Sequence, residues 1–192
     1  MNVQICKQRM TMKFKQFLNE TPALDNFSRA EVQSMTDSYT TAMKYDHEVA
    51  GKIKGKEVVK YKKGEKKLRY AILDHDNKKV LFMSGISLFG NPQQSLIWKD
   101  AKSSITSADL RKIFVDIILK DHKLVLSDDL QSEGGQKFWY ALCRQYLSSD
   151  RYEVGVIMKG KGTSFKKDTF EEEFEAAYEE ENSHSQIYMR IK

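Results

Sequence analysis

The fold is decided by residues 96–126, which read LIWKDAKSSITSADLRKIFVDIILKDHKLVL. The apolar run at the start of this stretch is typical of a strand, and so is the run Leu124–Leu126 at its end. Between them, apolar residues recur at the spacing of one helix face: Leu110, Ile113, Phe114, Ile117 and Ile118. A strand–helix–strand unit of this kind makes a right-handed crossover and lays its strands parallel. The stretch therefore predicts an α/β fold.

A second unit of the same kind follows directly. Residues 131–147 predict a helix whose buried face carries Gly135, Phe138, Trp139, Leu142, Cys143 and Tyr146. Strands are predicted at Tyr152–Met158 and at the end of the chain, Gln186–Ile191. A short amphipathic helix is predicted before the last strand, because Phe170, Phe174 and Tyr178 keep a spacing of four residues. That helix can dock on the domain or on a partner, and of the two we expect docking on the domain.

Upstream of residue 96 the pattern is that of an antiparallel meander. Strands at Val58–Tyr61, Leu68–Leu73 and Val80–Leu88 are separated by turn residues. Gly85 within the third strand predicts a bulge or the close approach of another backbone. The expected fold class is α/β with a mixed α+β sheet, in which the meander is followed by β-α-β-α-β-β.

Residues 1–46 are predicted to be a helical N-terminal extension, and residues 47–192 the mixed-sheet domain. Ser28 and Glu31 form a capping-box pattern, and apolar residues at helical spacing follow it. This pattern predicts a helix near residues 29–44.

Composition narrows the function classes. The 192 residues carry a net charge of +5 and two cysteines, so a disulfide framework is not expected. No apolar run approaches the ~20 residues of a membrane span, and the first residues lack a secretory apolar core. A cytoplasmic protein without membrane contact is expected.

The sequence carries no familiar catalytic or metal-binding motif. The four histidines are scattered, so no metal site is predicted, and neither a Walker loop nor a nucleophile elbow is present.

Charge is segregated along the chain. Nine basic residues crowd residues Lys52–Arg69, while the segment 168–181 is acidic. A basic ribbon attracts phosphates or acidic proteins, so nucleic acid or an acidic host protein is a candidate partner through Lys52–Arg69. The alternative is a solvated face with no partner.

The order of elements resembles that of the GNAT acyltransferase superfamily over Val49–Ile191. The resemblance implies an acyl-CoA such as acetyl-CoA, bound between the strands that end at Ala101 and Ser127. It also implies acyl transfer to an amine of a small molecule or a protein. The family's pyrophosphate loop matches residues 102–107, which makes Ser103, Ser104, Thr106 and Ser107 the cofactor-binding candidates. Glycine is absent from this loop, which departs from the family pattern.

The catalytic candidates implied by the resemblance are Asp128 and Tyr140. Asp128 follows a predicted strand and would accept the amine proton. The tyrosine that serves as general acid in the family aligns with Trp139, which we interpret as a core residue. Tyr140 is the nearest phenol, one position further along the helix.

Two stretches are similar to sequences of tailed bacteriophages. Residues 127–135 resemble GNAT-like phage proteins, and Met12–Leu18 resembles the start of phage proteins. A phage protein would act in the host cytoplasm. The rival hypothesis is a non-catalytic binding or inhibitor protein that contacts a host protein or nucleic acid through the basic ribbon. A virion component is a further alternative.

Overall fold

The structure is a computed structural model, and it describes residues 38–128, 131–179 and 184–192. These residues form one open nine-stranded sheet. In chain order the strands are β1 (Glu48–Ile53), β2 (Lys56–Lys62), β3 (Lys67–Asp74), β4 (Lys79–Ser87), β5 (Gln93–Lys99), β6 (Leu124–Leu126), β7 (Tyr152–Met158), β8 (Lys161–Ser164) and β9 (Gln186–Ile191).

The spatial order of the strands is β1-β2-β3-β4-β5-β6-β9-β7-β8. β5 and β6 are parallel, and the other neighbouring pairs of the described sheet are antiparallel. β9 lies between β6 and β7 and is antiparallel to both, so β6 and β7 are parallel without being neighbours. The predicted mixed α/β sheet is confirmed.

Helices connect the parallel strands. The chain between β5 and β6 forms α1 (Ser107–Ile113), a π-helical turn (Phe114–Ile118) and α2 (Leu119–His122) in succession. α3 (Glu133–Tyr146) connects β6 to β7, and α4 (Phe170–Ala176) lies between β8 and β9. No helix within the described ranges has the length and apolar character that a membrane crossing requires.

The main core lies between these helices and one face of the sheet. Its largest fully buried side chains include Phe82, Phe114, Ile118, Trp139 and Leu142. The helices at 107–122 and 133–146 each contribute a stripe at helical spacing, as the sequence predicts. α4 docks on this core through Phe170 and Phe174, so the expectation that the acidic segment packs on the domain holds for its described part.

The opposite face of the meander has a smaller core. Ala42, Tyr61, Ala71, Val80 and Met83 are buried there. Residues 38–42 are helical and cover this face. The last residues of the predicted extension therefore pack on the sheet. Residues 1–37, and with them residues 29–37 of the helix predicted near 29–44, lie outside the described residues, while residues 43–44 form a turn after the helix ends at residue 42.

At the far edge of the sheet, a polar cluster joins β7, β8 and β9. The Glu153 carboxylate accepts hydrogen bonds from the Ser164 hydroxyl at 2.7 Å and the Tyr188 hydroxyl at 2.7 Å, and it pairs with Arg190 at 2.7 Å. Burial opposes the ionisation of Glu153, but these donors outweigh burial and lower its pKa to about 2.

Some elements differ from the sequence-based expectations. β1 and β8 lack a marked apolar run and were not predicted, and β8 begins at Lys161 directly after the turn at residues 159–160. β5 begins at Gln93, before its apolar residues. These segments form strands because their backbones pair with a neighbouring strand, and backbone hydrogen bonds do not require apolar side chains.

Candidate functional site

The neighbouring parallel strands β5 and β6 are paired over a very short distance and then separate. Within the described chain, β5 and β6 are in register only at Gln93 and Leu126, and the Leu126 amide donates to the Pro92 carbonyl at 2.8 Å. The chain after β6 then follows β9, since the Ser127 amide donates to Ile187 and the Ile187 amide donates to the Ser127 hydroxyl. β5 continues from Gln94 to Lys99 with no described strand on that edge.

A bulge in β5 accompanies this parting. Gly85 pairs with Leu96 and Ile86 pairs with Gln94, which leaves Ser95 as an extra residue on β5. The prediction at Gly85 was a bulge or the close approach of another backbone; the register shift does occur beside Gly85, but the extra residue belongs to β5, and the group that approaches the glycine is the Arg69 side chain. A Cβ at Gly85 would lie 1.6 Å from a guanidinium nitrogen of Arg69, so a side chain at this position would displace the end of the Arg69 side chain from β4.

Gln94 is the buried polar residue at the point of parting. Its side chain is nearly inaccessible, with 4% of the residue exposed, and its Nε2 has no hydrogen-bond partner among the described residues. Its cross-strand partner Ile86 belongs to the main core, so Gln94 lies on the helix-covered face of the sheet. A buried donor without a partner is costly, and a bound acceptor would remove that cost.

Asp128 lies beside the point where β5 and β6 part. The Gln93 side-chain amide donates to Asp128 Oδ1 at 3.4 Å, which links the start of β5 to the chain that leaves β6. The structure therefore places Asp128 beside the parting strands, at the carboxyl end of β6, where ligands commonly bind in open α/β sheets. The sequence predicted only Asp128 as a site residue here and missed Gln94. The residues next to Gln94 in the sequence are mostly polar, so the sequence gives no periodic pattern that would mark it as buried.

The serines predicted to bind a cofactor are in the loop that enters α1. The Ser103 hydroxyl donates to the Asp100 carbonyl at 2.7 Å and also accepts from the Ile105 amide. The Ser104 carbonyl accepts from Lys54 at 3.2 Å. Thr106 is the N-cap of α1, and Ser107 is its exposed first residue. Two of the four side chains are thus engaged in local turn and cap bonds.

Asp109 completes the cap of α1. Its amide donates to the Thr106 hydroxyl, and its carboxylate accepts from the Thr106 amide at 2.8 Å and pairs with Lys54 at 2.7 Å. Burial opposes ionisation here, but the bonds from Lys54 and Thr106 outweigh burial and lower the pKa of Asp109 to about 2. The Lys54 partner, distant in sequence, neutralises the carboxylate at this helix start.

These two carboxylates should make the protein sensitive to acid. A carboxylate whose pKa is lowered by folding stabilises the protein above its unfolded pKa of about 4, and that contribution disappears as the pH falls towards 2. The wild-type protein should lose unfolding free energy between about pH 5 and pH 2 as these carboxylates are protonated. We expect that loss to be smaller by about 1 kcal/mol in Asp109→Asn and by about 1 kcal/mol in Glu153→Gln. Urea denaturation at a series of pH values measures this. Glu65→Gln on an exposed turn is the control, and an unchanged slope in both variants would contradict the prediction.

Tyr140 is held by a neighbouring helix. It is buried, and its hydroxyl donates to the Glu171 carboxylate of α4 at 2.6 Å while accepting from Arg144 at 3.3 Å. Burial and the adjacent Glu171 carboxylate raise the pKa of Tyr140 to about 12. This environment disfavours proton donation near neutral pH, and it makes Tyr140 an anchor for α4. Trp139, interpreted from the sequence as core, is 1% exposed.

A second polar cluster escaped prediction because its members are far apart in sequence. The Tyr70 hydroxyl of β3 donates to Asp121 at 2.9 Å and lies 3.0 Å from His122 Nε2, and Lys60 of β2 also pairs with Asp121. Burial lowers the pKa of His122 and raises that of Tyr70. Both groups are therefore neutral near pH 7, and the cluster ties the end of α2 to the sheet.

The chain matches no protein-family model, no curated protein and no solved structure. Among the residues in the described ranges, no group of three His, Cys, Asp or Glu side chains could hold a metal ion. Function is therefore inferred from geometry and charge.

Proposed function

We propose that the chain is a divergent GNAT-like protein that binds an acyl-CoA where β5 and β6 part, and transfers the acyl group to an amine. The observation that carries this proposal is the buried Gln94 amide, which lacks a partner at the point where the strands separate. The crossover units β5–α1–α2–β6 and β6–α3–β7 support it through their order.

The free edge of β5 suits the extended arm of coenzyme A. Residues 94–99 present backbone donors and acceptors that no described strand uses on that side. The pantetheine arm contains two amide groups, and an extended amide chain can pair with an open strand edge as an added strand does. Main-chain hydrogen bonds would supply affinity, and the acyl group would lie at the end of this edge, next to the buried Gln94.

Gln94 and Asp128 have separate roles in the proposed chemistry. The amine nitrogen attacks the thioester carbonyl carbon, the C–N bond forms, the C–S bond breaks, and its electron pair leaves with sulfur as the CoA thiolate. The Gln94 amide donates to the carbonyl oxygen as that oxygen gains negative charge. Asp128 accepts the proton that the amine loses, and the thiolate takes a proton from water.

The phosphates of the ligand would lie towards the loop before α1. Ser104 and Ser107 are exposed there, and small side chains allow the backbone to approach an anion. Asp109 introduces a negative charge at this helix start, but its pairing with Lys54 cancels most of that charge.

The change Gln94→Leu tests the ligand role against a structural one. Removing an unpartnered buried donor should raise the free energy of unfolding by about 1 kcal/mol, because leucine has a similar size and no donor to satisfy. The same change should weaken acetyl-CoA binding roughly tenfold, because the acceptor on the ligand loses its partner. Calorimetric titration with acetyl-CoA and with CoA measures the affinity, and urea denaturation measures the stability.

Controls separate the possible outcomes. Gln145→Leu makes the same chemical change on the exposed last turn of α3 and should leave ligand affinity unchanged. Bulky residues at Ser104 and Ser107 should weaken binding through the phosphate end. A Gln94→Leu protein that is destabilised yet binds normally would show a structural role for Gln94. Failure of the wild-type protein to bind either ligand at millimolar concentration would overturn the acyl-CoA proposal and favour a non-catalytic binding protein.

A further inference from the structure

One end of the sheet carries an exposed basic and aromatic surface, which we call the basic turn surface. It comprises Lys62, Lys63, Lys66, Lys67 and Phe89. The first four residues flank and form the β2–β3 turn, and Phe89 lies in the β4–β5 turn. The Leu88 amide donates to the Lys66 carbonyl at 2.9 Å, so the two turns lie side by side.

The four lysines of this surface are exposed, and none forms an ion pair with a described residue. The remaining long basic side chains of the predicted ribbon are mostly engaged. Lys52 pairs with Glu57, Lys54 with Asp109, and Lys60 with Glu48 and Asp121, while Arg69 lies over Gly85. Within Lys52–Arg69, the positive charge that is available to bind a partner therefore lies mainly at the β2–β3 turn.

Phe89 is unusual for its exposure. It is 63% exposed, the most of any large hydrophobic residue described, and Lys66 Nζ lies 5.0 Å from its ring centroid. An exposed phenylalanine contributes little to folding, and its ring is a flat apolar platform beside lysines that form no ion pair with a described residue. Base stacking on an aromatic ring next to phosphate-binding lysines is how proteins hold single-stranded nucleic acid.

We propose that the basic turn surface binds single-stranded nucleic acid, with one base stacked on Phe89 and the adjacent phosphates on the lysines. An unpaired strand fits better than a duplex, because the bases of a duplex are stacked on each other and unavailable to a side chain. An acidic protein would use the lysines but would gain nothing specific from an aromatic ring between them.

The charge contribution is tested on the full-length chain by fluorescence anisotropy with labelled oligothymidine and oligouridine of about 12 nucleotides, starting near 50 mM salt. A triple variant should show a weaker salt dependence; it combines Lys63→Gln, Lys66→Gln and Lys67→Gln. The magnitude of the slope of log affinity against log salt should fall by about 2, because each phosphate contact on a single strand contributes about 0.7. The control combines Lys159→Gln, Lys161→Gln and Lys167→Gln, which removes the same charge from exposed positions near the β7–β8 hairpin. Equal losses in both triple variants would overturn the proposal, since they would indicate a diffuse charge effect.

The stacking contribution is tested at Phe89 alone. Phe89→Leu should weaken binding of both oligonucleotides roughly tenfold, whereas Phe89→Trp should keep or strengthen it. The comparison of oligothymidine with oligouridine distinguishes DNA from RNA as the preferred strand. Unchanged affinity in Phe89→Leu, tighter binding of a duplex, absence of binding near 50 mM salt, or stronger binding of a polyglutamate peptide would each overturn the proposal. The last result would identify the surface as a site for acidic proteins.

Discussion

Trp139→Ala should lower the free energy of unfolding by about 3 to 5 kcal/mol. The Trp139 side chain is fully buried between α3, the π-helical turn and the sheet, with 1% of the residue exposed. Its ring meets Phe114 edge-on at a centroid distance of 5.2 Å and Phe138 at 6.0 Å. Alanine would leave a large cavity and remove both aromatic contacts, and the surrounding helices cannot close it completely.

Urea denaturation followed by far-ultraviolet circular dichroism measures this loss without relying on tryptophan fluorescence. Phe89→Ala is the matched control, because it truncates an aromatic residue that is 63% exposed, and its cost should stay below about 1 kcal/mol. Similar costs for the two variants would contradict the described position of α3 on the sheet.

Gly155→Ala should lower the free energy of unfolding by about 3 kcal/mol, the upper end of the range for overpacking. Gly155 lies in the middle of β7, between β8 and β9. A Cβ there would lie 2.3 Å from the Thr163 backbone carbonyl and 2.6 Å from the Tyr188 ring. The carbonyl belongs to the neighbouring strand, so relief requires movement of β8 and disturbs the hydrogen bonds to Glu153.

Gly134→Ala provides a control of opposite sign. Gly134 lies in the first turn of α3, and a Cβ there meets nothing within 4 Å. Alanine should therefore stabilise the protein by up to about 1 kcal/mol, because it favours the helix more than glycine does. Thermal denaturation of both variants checks the pair of predictions. Equal stability of Gly155→Ala and wild type would mean that β8 does not pair with β7 as described.

Much of the fold could be predicted because it depends on local patterns. The predicted strands Tyr152–Met158 and Gln186–Ile191 match β7 and β9, and the predicted helix 131–147 contains α3. The π-helical turn could not be predicted, because its apolar residues Phe114–Ile118 also fit an ordinary helix. β8 could not be predicted either, since its four residues are exposed and it exists through pairing with β7.

The candidate site was predictable only in part. Asp128 was expected from its position after a strand, and the loop at 102–107 was expected before a helix. Gln94 was not, because burial and the lack of a partner are properties of the assembled sheet. Tyr140 was named as the phenol nearest to Trp139, but the sequence did not predict that α4 would cover that side of α3 and supply Glu171 as its partner.

By itself, the sequence determined most of the segments that become helices and strands, which helix faces are apolar, and that the sheet is mixed. These properties follow from side-chain periodicity and capping within about 15 residues, where neighbours in sequence are neighbours in space. Only the tertiary structure decided that β9 enters between β6 and β7, that β5 parts from β6 at Gln94, and that Lys54 pairs with Asp109. Such contacts join residues tens of positions apart, and they are selected by the burial and hydrogen bonding of the whole fold, which no local pattern records.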